Sequence, residues 1–319
     1  MNKTAKQLLP FGTLILIIGA LAALKPDTFL TLDNFLNVLR RSSVNGIIAI
    51  GMTSIIISAG IDLSVGSMMA LSGMFGAWTM VSLSGGSTPT AGVMCLGTVV
   101  GIAVGLLCGL LNGTLITRLK LPPFIVTLGT MSMFRGISYI MNDGQPFNVP
   151  AYKYLGEGTI AGIPVSVLIF AITIAIAAFM LRYTKFGRYT YAIGSNKEAS
   201  YHCGINVDTA LIKIYAFTGL LVGLASMIAT SRTISAQPTA GLSLELDIIA
   251  AVVIGGASLT GGQGTITGTI IGTLLISFLR NGCTILGIST NVQLIVIGAI
   301  IIAAVAIDQT AKSKAKTSH

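Results

Sequence analysis

What most constrains this chain is a recurrence: ten long apolar stretches, nearly free of charge, lie between residues 8 and 307. A helix needs about 20 mainly apolar residues to cross a bilayer. The segments 8–24, 44–60, 65–83, 91–117, 121–141, 163–181, 211–231, 246–260, 265–279 and 292–307 meet that pattern or approach it. Only 9% of the 319 residues are charged, against about 25% in an ordinary soluble protein. That is too little polar surface to coat a water-soluble globule of this size. The chain reads as an all-α, polytopic membrane protein with about ten transmembrane helices, one transmembrane domain over residues 1–319. A soluble enzyme, a disordered chain and a secreted disulfide scaffold are excluded. The last three segments are short, and 246–260 with 265–279 can instead form one hairpin that dips into the membrane. Lys3 and Lys6 before an apolar run mimic a signal peptide, but the rest of the chain is equally apolar, so a retained first span is expected.

The cations orient the chain. With the N-terminus inside and ten alternating spans, twelve Lys and Arg fall on inside segments: Lys3, Lys6, Arg118, Lys120, Arg182, Lys185, Arg188, Lys197, Lys213, Lys312, Lys314 and Lys316. Six fall outside: Lys25, Arg40, Arg41, Lys153, Arg232 and Arg280. The positive-inside rule therefore favours N-in and C-in. It also accounts for the net charge of +9 without nucleic acid as a partner. Residues 25–43 read as an outside loop with helix-like amphipathic content (Phe29, Leu32, Phe35, Leu36 and Leu39), and 182–210 as the longest inside segment. Cys95, Cys108, Cys203 and Cys283 are scattered, and His202 and His319 are the only histidines. No metal site or cofactor is expected.

Glycines recur at small-xxx-small spacing: 101, 105, 109 and 113; 219 and 223; 264, 268 and 272. In lipid this spacing lets helix backbones approach closely, and it is common to many unrelated membrane proteins. In the inside segment, Ser195 or Asn196 can N-cap a short helix with Glu198 in its first turn. Gly204 suits the C-cap. A helix over Lys197–Cys203 is predicted, tied to spans on both sides; the alternative is a basic interfacial loop.

The stretch around Glu198-Ala199, closing on Gly204-Ile-Asn-Val207, resembles the coupling loop of ATP-binding-cassette importer permeases. Further stretches are similar to the monosaccharide branch of that family, and most closely to its ribose permeases. These are Ser43-Val-Asn-Gly-Ile-Ile-Ala-Ile-Gly-Met52, Ser58-Ala-Gly-Ile-Asp-Leu-Ser-Val-Gly-Ser67, Pro123-Phe-Ile-Val-Thr-Leu-Gly-Thr130, Ser235-Ala-Gln-Pro-Thr-Ala-Gly241 and Gly255-Gly-Ala-Ser-Leu-Thr-Gly-Gly-Gln-Gly264. They run in family order over roughly residues 30 to 308. Ser200, Tyr201 and His202 depart from the small or basic residues the family often has there. The resemblance implies a type II, vitamin-importer-like permease fold in the bacterial inner membrane, working as a homodimer. It implies a cytoplasmic ATPase, coupled through Asn196, Glu198, Ala199 and Gly204, and a periplasmic sugar-binding protein that delivers a sugar. The chain has no GxxxxGK[ST] of its own, so another polypeptide must cradle the nucleotide.

Four places carry polar groups of interest. Asp62, in a turn before 65–83, either caps that helix, with Ser64 as rival, or serves a gate. Thr127, Thr130, Met131, Phe134 and Ser138 recur at helical spacing and form one face. A sugar needs hydroxyl partners and an apolar surface, so this face is a candidate lining of the substrate path; the alternative is hydroxyls bonded back to their own helix. Arg135 either snorkels outward or contacts sugar hydroxyls. Outside, Pro238 and Gly241 break the helix after 211–231. Gln237, Glu245 and Asp247 then form a docking or gate segment, with Arg232, Glu245 and Asp247 in salt bridges, unless the acids only cap a helix. An ion-coupled secondary transporter is the competing function, but it needs carboxylates in mid-span, and the acids here sit at span ends or in loops.

Overall fold

The protein is described by a computed structural model covering residues 3–300, 302 and 306, apart from the side chains of residues 3–11, 13 and 17. It is predominantly helical. In chain order the helices are α1 (Lys3–Leu24), α2 (Pro26–Phe29), α3 (Leu32–Ile57), α4 (Val65–Ser84), α5 (Ala91–Arg118), α6 (Pro123–Ile140), α7 (Tyr154–Glu157), α8 (Val165–Tyr183), α9 (Lys185–Ser195), α10 (Lys197–His202), α11 (Val207–Thr233), α12 (Leu244–Ile254) and α13 (Ile266–Ile285). A further helix, α14, covers Thr290–Ile300. Side chains start many of them: Thr31, Thr90, Asn196, Asn206 and Thr265 each accept from an amide of the first turn, satisfying donors with no partner inside the helix.

Each of the ten apolar segments holds helix. Among the described residues, four helices are long and apolar enough to cross a membrane: α5, α8, α11 and α13. α12 has 11 residues and so rises about 16 Å, roughly half of a bilayer core. The tenth segment is helical to residue 300, and its remainder lies largely outside the described residues.

One expectation is corrected. Residues 32–43 are not a loop but the first three turns of α3. Phe35 there and Phe29 of α2 pack on Phe278 of α13, ring centroids 6.4 and 6.1 Å apart. The segment between α6 and α8 carries structure of its own. Strands β1 (Phe147–Asn148) and β4 (Ser235–Ala236) pair antiparallel, and β2 (Thr159–Ile160) pairs with β3 (Ile163–Pro164).

The centre of the molecule is α5 against α11, packed backbone to backbone. A methyl group on Gly105 would lie 2.5 Å from the Gly219 carbonyl oxygen and 2.7 Å from the Gly223 Cα. One on Gly109 would lie 3.0 Å from the Gly219 Cα, and one on Gly113 2.8 Å from the Ile212 Cα. The same helix meets α4 on another side, where a methyl on Gly97 would stand 2.7 Å from the Gly76 carbonyl. α3 joins by the same device, Gly51 lying against Thr218 of α11. The side chains of Ile47, Ile48, Ile55, Ile56, Val222 and Ile228 fill the remaining volume and are fully buried.

Gly105→Leu therefore cannot be accommodated without parting α5 from α11. The variant is expected to lose at least ~2 kcal/mol, the cost of overpacking, seen as a lower melting temperature and early aggregation in detergent. Gly92→Ala in the exposed first turn of α5, where an added methyl meets nothing, should melt like the parent. Equal melting of all three proteins would refute the packing.

Candidate functional site

Contacts along α11 set the level of every other element. Tyr215 Oη donates to the Ile61 carbonyl (3.2 Å), and Ser226 Oγ donates to the Met69 carbonyl (2.6 Å). α4 therefore starts beside the middle of α11, and residues 59–64 climb to it as irregular chain after α3 has ended. From the other side, the chain after β4 descends to the same level: a methyl on Gly241 would lie 2.9 Å from the Gly66 Cα. Gly241 has φ +68, a conformation that suits glycine. α12 begins three residues later. Two helix N-termini thus meet halfway along the bundle, and a methyl on Gly66 would come 2.9 Å from Glu245 Oε2. A carboxylate there is favoured by both helix dipoles.

Asp62 lies in the climbing chain and is fully buried, so it offers nothing to a soluble partner. Its Oδ1 accepts from the Ser64 amide (2.8 Å) and hydroxyl (2.6 Å), and Asn112 of α5 donates to Ser64 Oγ at 2.8 Å. Ser64 holds the N-cap position of α4; Asp62 fixes the turn that delivers it.

At the α3 C-terminal end, three separate segments meet. The α12–α13 connection reaches Ile57 through Gly262, whose amide donates to the Ile57 carbonyl (2.8 Å). Tyr191 of α9 donates its hydroxyl to the Gly264 carbonyl (2.8 Å). Burial pushes the Tyr191 phenol above its ordinary value, which keeps it protonated as that donor. Beyond α9 stands α10. Asn196, not Ser195, is its N-cap, accepting from the Ala199 amide at 2.9 Å. Gly204, at φ +81, follows the helix, and Ile205 closes the end by donating to the Ser200 carbonyl (3.1 Å). Lys197, Glu198, Ala199, Tyr201 and His202 all stand exposed.

On α6, the residues of the polar face (Thr127, Thr130, Phe134 and Ser138) are buried, on a helix that packs on α4 and α5. The hydroxyls bond to their own helix: Thr127 to Pro123, Thr130 to Thr127 and Ser138 to Phe134, at 2.9, 3.3 and 2.8 Å. Arg135 turns to the descending chain and donates to the carbonyls of Pro238 and Ala240, the latter at 2.8 Å. Gln237 is exposed.

The expected acid pairing is revised. Asp247 pairs with Arg280 of α13, two parallel bonds of 2.7 and 2.8 Å, while Arg232 pairs with neither Asp247 nor Glu245. Arg280, Asn112, Tyr191 and Tyr215 went unnoticed in the sequence. Each acts on a partner far away in the chain, and no spacing signals such a contact.

A bundle of long apolar helices, closely packed and interrupted at half height, defines a multi-pass membrane permease. The family described as "Branched-chain amino acid transport system / permease component" matches residues 34–305, and the chain belongs to it. It is 44% identical to the ribose import permease protein RbsC of Haemophilus influenzae, over 93% of this chain and 91% of that protein. It is 46% identical to the RbsC of Bacillus subtilis, over 95% and 93%. The D-allose transport system permease protein AlsC of Escherichia coli is 38% identical, over 94% and 90%. No solved structure matches the chain. It is a transport subunit of the bacterial cytoplasmic membrane, not an enzyme.

Asn196→Ala removes the cap of α10, worth about 1 kcal/mol. Amides of residues 199–203 should exchange hydrogen roughly fivefold faster, with core amides around Tyr215 unchanged. Unaltered exchange at α10 would show that the cap does not hold it.

Proposed function

We propose that this chain is the membrane-spanning subunit of an ATP-driven importer for ribose or a closely related monosaccharide. The observation that carries the reading is 44% and 46% identity to ribose import permeases across more than nine-tenths of both chains. The family description speaks of branched-chain amino acids, but those relatives and the D-allose permease are named for sugars. A binding protein outside and an ATPase inside belong to such an importer.

The finer reading is ten crossings with both termini inside, in a type II permease fold, assembled as a homodimer. The positive-inside bias supports the orientation. The outer face of α6 supports a second copy: Gly129, Ser132 and Gly136 are exposed there, and small residues permit close helix approach in lipid. In this reading α10 is the handle gripped by the ATPase, through Asn196, Glu198, Ala199 and Gly204. Its exposure and capped ends support that role. The polar face of α6, with Arg135, serves the passage when α6 moves against α4 during turnover. Asp62, Gln237, Glu245 and Asp247 belong to the gate around the descending chain, with Gln237 reaching the binding protein.

The test is ATP-driven uptake in vesicles holding permease, ATPase and binding protein. Glu198→Lys and Gly204→Val are expected to lower uptake and stimulated ATP hydrolysis at least tenfold, about 1.4 kcal/mol of coupling, with the permease still folded. Labelled ribose should accumulate and labelled leucine should not. Normal uptake by both variants would remove α10 from the coupling route, and accumulation of leucine alone would overturn the sugar assignment.

A further inference from the structure

We propose that the open cavity lined by α4, α11 and the segment 235–241 is a binding site for one neutral monosaccharide, with Arg232 as its anchor. The inference rests on the sugar-importer reading and adds to it a place where the cargo is held. The cavity measures about 200 Å³. At roughly 30 Å³ per water it has room for six or seven waters, a volume that suits a five- or six-carbon sugar and excludes a peptide or nucleotide.

Its lining has the chemistry of a polyol site. Arg232, in the last turn of α11, lines it. The Arg232 guanidinium makes no hydrogen bond or ion pair among the described residues, and its Nη1 is buried without a partner. Ser235 Oγ, also in the wall, is buried without a partner too. Unmet buried donors are costly, more so when charged, and a turn of either side chain into the adjoining cavity brings its donor to a bound ligand or water. A planar guanidinium offers paired donors and so matches two adjacent hydroxyls of a sugar. Two hydroxyls of the same helix stand beside Arg232. A methyl on Gly73 would meet Thr230 Oγ1 at 2.9 Å and Ser226 Oγ at 3.0 Å, so the bare backbone of α4 makes room for both, Ser226 Oγ being bonded to the Met69 carbonyl. Met69, Ala70 and Ala229 complete the wall and give an apolar surface for the C–H face of a ring. One cation among several hydroxyls suits a neutral polyol, since an anion would demand more charged donors.

The setting agrees. The floor lies where α4 and α12 begin, at half height in the bundle. Irregular backbone at that depth persists where it lines a cavity, and interrupted helices surround the cargo in other transporters. The roof is the descending chain itself, held by β4 to β1 and by Arg135 to the Pro238 and Ala240 carbonyls.

Two measurements on the full-length permease in lipid nanodiscs and in vesicles test the site. The first is saturable binding of labelled D-ribose to the permease alone, with unlabelled ribose, leucine and gluconate as competitors. The second is ATP-driven ribose uptake with the ATPase and binding protein present. Arg232→Met and Thr230→Val are expected to weaken binding and slow uptake at least tenfold each, with ATP hydrolysis still stimulated by the loaded binding protein. Ser87→Ala, in the exposed turn after α4, should match the parent. Only ribose should compete. Thr230→Val removes a hydroxyl without changing charge, so it decides the matter if Arg232→Met fails to fold. Ribose uptake by the parent together with unaltered binding and uptake in Thr230→Val overturns the site and leaves the importer reading standing. Competition by gluconate alone overturns the neutral-sugar assignment. A parent that imports no monosaccharide overturns both.

Discussion

Everything in this molecule leans on the close backbone contact between α5 and α11. Helices in lipid gain nothing from hiding apolar side chains from one another, because the lipid is as apolar as they are. What holds them is dispersion at short range, and that requires surfaces without side chains. Gly105 and Gly109 of α5 provide such a surface, and Gly219 and Gly223 of α11 provide the matching one. With these two helices fixed, α4 stacks on another side of α5 and α3 on α11. The four form a frame stiff enough to support backbone that is not helical at all.

That support is needed because two chain segments abandon helix in mid-bundle. Residues 59–64 and the chain from β4 to Gly241 converge on the same level, where α4 and α12 start. Exposed to lipid, such backbone would leave donors and acceptors unpaired at several kcal/mol each. Here Asp62, Tyr215 and Arg135 take up loose groups. The frame also connects ends. The α12–α13 connection rests on Ile57 and on Tyr191, while α12 begins at the half-height junction. Movement delivered to α9 and α10 thus has a short, packed route to the middle of the membrane, in the reading of α10 as the handle.

How far this was legible in sequence differs by element. The ten apolar stretches and the glycine spacings announced the helices and their intimacy, because burial in lipid and close approach each demand a composition. Asn196 and Gly204 announced α10, because a cap and a positive φ each demand a residue type. The half height of α12 was legible only as an alternative: 246–260 is short enough to dip into the membrane with 265–279, but an apolar run reads the same whether it crosses the bilayer or starts inside it. Residues 32–43 looked like a loop because Asp33, Arg40 and Arg41 interrupt the apolar pattern, yet they continue α3 without a break. The partner of Asp247 was assigned to a cation close in sequence, while the structure supplies Arg280, 33 residues on. The α6 hydroxyls were periodic, and periodicity alone cannot tell a face turned to cargo from one bonded to its own carbonyls.

The central claim is that this chain moves its cargo on work done elsewhere and received at its cytoplasmic face. The most direct measurement is solute accumulation in sealed vesicles containing the purified chain, first alone under proton or sodium gradients, then with its ATPase, binding protein and ATP. Accumulation only in the second condition is the predicted result. Concentrative uptake by the chain alone, driven by an ion gradient, would contradict the account.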